Sequence, residues 1–137
     1  MIRKLAIALA MLVYVGVTAE ASACSCESRT ADQQVAQADV IFIGTATGKT
    51  GPDSKGATMV TAFKVTEMLK GEPSQTLSVQ HLKDLGGNCG VTFSISSKPV
   101  LVIAHKKSGM LRTGYCSLPG APEADIRTAL KKAKPVP

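Results

Sequence analysis

Ala21-Ser22-Ala23-Cys24-Ser25-Cys26 is the stretch on which the reading of this chain turns. It joins a small-x-small processing pattern to two of the four cysteines. Upstream, Arg3 and Lys4 supply a positive start, Leu5 to Val17 is an apolar run broken by Gly16, and Thr18 to Ala23 is more polar. That order predicts a secretory signal peptide over residues 1–23, cleaved between Ala23 and Cys24. The apolar run is shorter than the roughly 20 residues of a membrane span, so no stable membrane insertion is expected once the signal is removed. Lipid attachment to the Cys24 thiol is the competing outcome. Against it, Ala21 stands where that type of signal carries a larger aliphatic residue, and lipidation would leave an odd cysteine.

Cleavage leaves residues 24–137, enough for one domain. Losing Arg3, Lys4 and Glu20 leaves 14 basic and 9 acidic side chains, a net charge of +5 against +6 for the whole chain. The simplest consequence is solubility; the sharper one is attraction to acidic cell-envelope polymers through Lys131, Lys132 and Lys134. All four cysteines fall in the exported part, an even number that predicts two disulfides and a secreted, periplasmic or extracellular location. A Cys24–Cys26 bridge would close a strained ring. Two pairings remain, Cys24–Cys89 with Cys26–Cys116 or the crossed alternative. A four-cysteine zinc site fits less well, because Cys89 and Cys116 lack the short-spaced neighbours such sites use.

The exported chain reads mainly as strands. Thr30-Ala31-Asp32-Gln33 is a capping box, which predicts a short helix ending near Ala38. Strands are predicted over 39–45, 57–69 and 76–82 from apolar runs and period-two alternation, with Gly48 to Gly56 as a solvated loop. In the long second strand Phe63 and Val65 face the core; in the third, Leu77 and Val79 share one face. Gly86-Gly87-Asn88 is a turn before Cys89. Val91, Phe93 and Ile95 alternate as a half-buried strand, Val100 to Ala104 is a strand covered on both faces, and Leu111 to Cys116 is a last short strand. A helix opens at Pro122, with Ile126, Ala129, Leu130 and Ala133 on its buried side and Lys131 and Lys132 in water. Five or six short strands between two helices predict a small barrel, whose closure removes exposed edges.

Little in this pattern points to catalysis. There is no G-x-S-x-G, H-E-x-x-H or phosphate loop. His81 and His105 are isolated in sequence and read as strand-surface residues. Phe42, Phe63 and Phe93 lie in apolar strand patterns, so no exposed stacking platform for nucleic acid is expected. No cofactor is expected either.

Taken together, Cys24-Ser25-Cys26, Ala38-Asp39-Val40-Ile41-Phe42, Phe63-Lys64-Val65, Leu69-Lys70-Gly71, Cys89-Gly90 and Leu111-Arg112-Thr113-Gly114-Tyr115-Cys116-Ser117 resemble the netrin-like module shared with tissue inhibitors of metalloproteinases. The landmarks run in order through nearly all of residues 24–137. The resemblance implies an oligonucleotide/oligosaccharide-binding (OB) type barrel and selects the pairing Cys24–Cys89 with Cys26–Cys116. It also implies inhibition of a zinc metalloendopeptidase. The free amine and carbonyl of Cys24 would chelate the enzyme's zinc, Ser25 would point into the substrate pocket, and Gly87-Asn88-Cys89-Gly90 would flank the cleft. Two features depart from that family: the third disulfide has no cysteines here, and Glu27-Ser28-Arg29 replaces a proline-rich segment. The same module also occurs in non-inhibitory binding proteins, for which the Cys-Ser-Cys terminus would be purely structural.

Overall fold

The computed structural model describes residues 24–52, 54, 56–86 and 88–134. The expected signal peptide, its cleavage site and Gly87 lie outside the described residues. The elements run α1 (Ala31–Gln37), β1 (Val40–Thr50), β2 (Thr58–Lys70), β3 (Thr76–Leu82), β4 (Val100–Lys107), β5 (Met110–Arg112), a 3-10 turn (Tyr115–Ser117) and α2 (Glu123–Ala133). The five strands close a barrel in the order β1-β2-β3-β5-β4. All neighbours are antiparallel except β3 and β5, which run parallel through Val79–Leu111 and Gln80–Arg112. This is the mainly β, OB-like barrel with two terminal helices that the sequence implies, at the lower of the two strand counts.

The near-continuous apolar character of β1 and β4 follows from their two covered faces. Val40, Phe42, Val102 and Ala104 point into the barrel, while Ile41 and Ile103 point outward under the helices. There they meet Val35 and Ala38 at α1 and Ile126, Ala129 and Leu130 of α2. A seven-residue helix is too short to be stable alone, so packing and caps must hold α1. Its capping box forms as expected, with Thr30 Oγ1 accepting from Gln33 N at 3.2 Å and Gln33 Oε1 accepting from Thr30 N at 2.9 Å. At its far end Lys70 Nζ donates to the carbonyls of Val35 and Ala38, at 2.7 and 2.5 Å. The barrel interior is an edge-to-face stack, with Phe42–Phe63 centroids 5.4 Å apart, Phe63–Phe93 5.1 Å and Phe93–His81 5.1 Å.

Five expectations need correction. β1 runs on to Thr50, so Gly48, Lys49 and Thr50, expected in the loop, belong to the strand and pair with Ala62, Thr61 and Val60. Val91 and Phe93 are buried, but Val91 makes only an isolated parallel bridge to Lys83, and residues 92–95 join no strand. Ile95, expected inside, is 58% exposed. The segment therefore supplies side chains to the core while pairing its backbone only at Val91. Cys116 lies in the 3-10 turn rather than on the last strand, which ends at Arg112. Pro122 is the cap of α2 rather than its first residue. Finally, His81 lies inside the barrel, 5% exposed, whereas His105 is half-buried outside with Nδ1 donating to the Gln37 carbonyl at 3.0 Å.

Candidate functional site

Residues 24–30 form neither helix nor strand, and two disulfides fix them to the barrel. Cys24 is bonded to Cys89, 65 residues away, and Cys26 to Cys116, 90 residues away; each pair has Cα atoms 5.4 Å apart. The pairing is the one the resemblance selects. With every described cysteine bridged, no thiolate remains for a four-cysteine zinc arrangement, and Cys24 has no free thiol for lipid. Cys24 and Cys89 are half-buried, and Ser25 between the two anchors is exposed.

The loop holding Cys89 is built from its own side chains. Lys83 N donates to Ala57 O at 2.7 Å and Val91 N to Leu82 O at 3.0 Å, which seats both ends of the loop on the barrel. Asp84 Oδ1 accepts from Gly86 N at 2.9 Å. Asn88 closes the ring: Oδ1 accepts from Leu85 N at 3.1 Å and Gly90 N at 3.3 Å, while Nδ2 donates to Lys83 O at 2.8 Å. Gly90 is buried, and a β-carbon there would fall on the Lys83 carbonyl group. Cys89 sits at φ 57°, a left-handed conformation uncommon for any residue but glycine.

The expected site residues thus gather around one tip, in different roles. Cys24 and Cys89 are joined covalently, Ser25 faces solvent, Asn88 is occupied in shaping its loop, and Gly90 lies beneath Lys83. Sequence reasoning passed over Leu85, which is 57% exposed at the turn of this loop. Its signal was an apolar residue amid Asp84, Gly86 and Asn88, where turn chemistry alone would favour polar neighbours.

Among the described residues, no group of three or more His, Cys, Asp and Glu side chains could hold a metal ion. No described helix is long and apolar enough to cross a membrane. The two disulfides are consistent with an extracellular or periplasmic protein. No protein-family model matches the chain, and no curated protein matches it.

Proposed function

We propose that the exported chain, beginning at Cys24, inhibits a zinc metalloendopeptidase by placing the amine and carbonyl of Cys24 on the enzyme's metal. The observation that carries this reading is the double anchoring of residues 24–26, which fixes Cys24 while leaving Ser25 exposed. One amine nitrogen and one carbonyl oxygen of the same residue close a five-membered chelate ring. That ring would displace the zinc-bound water that attacks substrate. Preorganisation by two bridges lowers the ordering cost of docking. Ser25 would enter the substrate pocket, and the loop of Cys89, with Leu85 exposed on it, would lie along the cleft. A side chain as small as Ser25 fills a pocket poorly, so affinity would rest on the chelate and its flanks.

The test compares the mature protein with a form carrying one extra alanine before Cys24, against a set of zinc metalloendopeptidases. The mature form should inhibit. The extended form should lose roughly 100-fold or more in affinity with an unchanged unfolding midpoint. Inhibition should strengthen with rising pH up to about 7.7–8.0, where a reference α-amine loses its proton. Equal inhibition by the extended form would sink chelation by Cys24.

A second reading, a non-inhibitory envelope-binding module, draws on Lys131, Lys132 and Lys134, all exposed at the end of α2. It expects salt-sensitive attachment that is abolished by neutralising these lysines and unaffected by the terminal alanine.

A further inference from the structure

We propose that the groove between residues 26–29 and residues 115–120 is a binding site for a neutral saccharide. The groove encloses about 470 Å³, within the few-hundred-Å³ range of small-ligand sites. One wall carries Glu27, Ser28 and Arg29; the other carries Tyr115, Leu118 and Pro119. The Cys26–Cys116 disulfide ties one wall to the other, so the groove exists before any ligand arrives.

The first wall is chemically unspent. The side chains of Glu27, Ser28 and Arg29 make no hydrogen bond or ion pair with other described residues. This contrasts with Asp84 and Asn88, whose polar atoms are used in folding their own loop. Gln34 of α1 also lines the groove and is 7% exposed. Its Nε2 donates to the Leu118 carbonyl at 3.3 Å, whereas its buried Oε1 has no partner. A buried acceptor left open is uncommon and calls for a donor. The second wall is apolar and aromatic, with Tyr115 47% and Leu118 38% exposed.

This pairing selects the ligand class. A pyranose has one face of C–H groups, which packs on an aromatic ring, and an edge of hydroxyls, each both donor and acceptor. Glu27 can only accept and Arg29 can only donate, so together they serve adjacent hydroxyls. Their charges cancel, which disfavours an acidic or basic ligand. Capture of a peptide by strand addition is ruled out, because neither wall is a strand.

The chain has no tryptophan and two tyrosines, Tyr14 and Tyr115, so after cleavage the only tyrosine or tryptophan emission comes from the ring on this groove. The exported protein is titrated with cellotriose and with tri-N-acetylchitotriose, both neutral. At least one should change Tyr115 emission saturably, with an affinity unaltered up to about 0.5 M salt. Arg29→Ala and Glu27→Gln should each weaken binding by about tenfold. Tyr115→Phe, followed by calorimetry, should retain most of it because the ring face remains. The form with an extra alanine before Cys24 should bind sugar normally, which separates this outcome from that of the inhibition assay. The proposal is overturned if neither sugar gives a saturable change with the fold intact. Binding confined to sulfated sugars and lost in salt would also overturn it, as would affinity untouched by the Arg29 and Glu27 changes.

Discussion

Thr61 and His81 place a polar pair inside a barrel otherwise filled by phenylalanine, valine and alanine. His81 Nδ1 lies 3.1 Å from the Leu82 carbonyl oxygen, which can only accept, so Nδ1 carries the proton. Nε2 then accepts from the Thr61 hydroxyl at 2.8 Å, and both polar groups are satisfied in the core. Replacing Thr61 with valine keeps the volume but leaves Nε2 unpaired. The expected cost is about 1–3 kcal/mol, read as a lower urea midpoint with an unchanged slope. A Thr61→Val protein as stable as the parent would mean that the pair contributes nothing. The inward position of His81 was legible, since it shares the two-residue period of Leu77 and Val79. Polarity argued the other way, and the hydroxyl that resolves the conflict comes from a strand position 20 residues earlier. Gly90 is a similar case: the sequence shows a glycine after a cysteine, and only the Lys83 carbonyl shows why nothing larger fits.

At the scale of elements, one ionic contact links α2 to the outside of β2. Arg127 donates through Nη1 and Nη2 to both carboxylate oxygens of Glu67, at 2.8 and 2.6 Å, and through Nε to Glu123 at 2.8 Å. Hydrogen bonding to Arg127 is the main reason the Glu67 carboxyl is held below its ordinary value of 4.5. The lowered value belongs to the folded state, so the stabilisation is complete above the ordinary value and fades as pH falls through the folded one. Glu67→Gln should therefore lower the thermal midpoint modestly at neutral pH, and the gap should close in acid and shrink in high salt. A gap that persists well below pH 4.5 would assign the effect to packing rather than charge. The strands β1 to β4 were readable because each buries a periodic set of side chains. Residues 91–95 have the same periodicity, and Val91 and Phe93 are indeed buried, yet beyond the single bridge at Val91 no neighbouring strand meets their backbone. Periodicity reports which side chains are buried; whether the backbone also pairs depends on what lies beside it. The 3-10 turn at Tyr115–Ser117 was hidden for a related reason. Its place is set by the bridge from Cys116 to Cys26 and not by local propensity.

For the molecule as a whole, the barrel and helices hold the apolar clusters, whereas residues 24–30 have no regular structure and depend on the two bridges. Spacing alone left two pairings open, and the choice came from resemblance, because chain entropy is nearly blind to it. The pairing formed closes 65 and 90 residues and the crossed one would close 92 and 63, sums that agree within about 0.1 kcal/mol in that account. The two bridges formed also differ from each other by only about 0.3 kcal/mol, each contributing roughly 4–5 kcal/mol. This near-equality gives a sharp expectation for two double variants, Cys24→Ser with Cys89→Ser and Cys26→Ser with Cys116→Ser. If the bridges act mainly by restricting the unfolded chain, both should lose roughly 2–5 kcal/mol and lie within about 0.5 kcal/mol of each other. Both should also show a steeper urea dependence, because the released unfolded chain exposes more surface. If instead the Cys26–Cys116 bridge mainly holds the groove walls in the native state, its loss should be clearly the more damaging of the two. Its removal would then free Tyr115, whose emission should shift toward that of an unstructured tyrosine before global unfolding begins. Equal midpoints together with unchanged Tyr115 emission would exclude that native-state role.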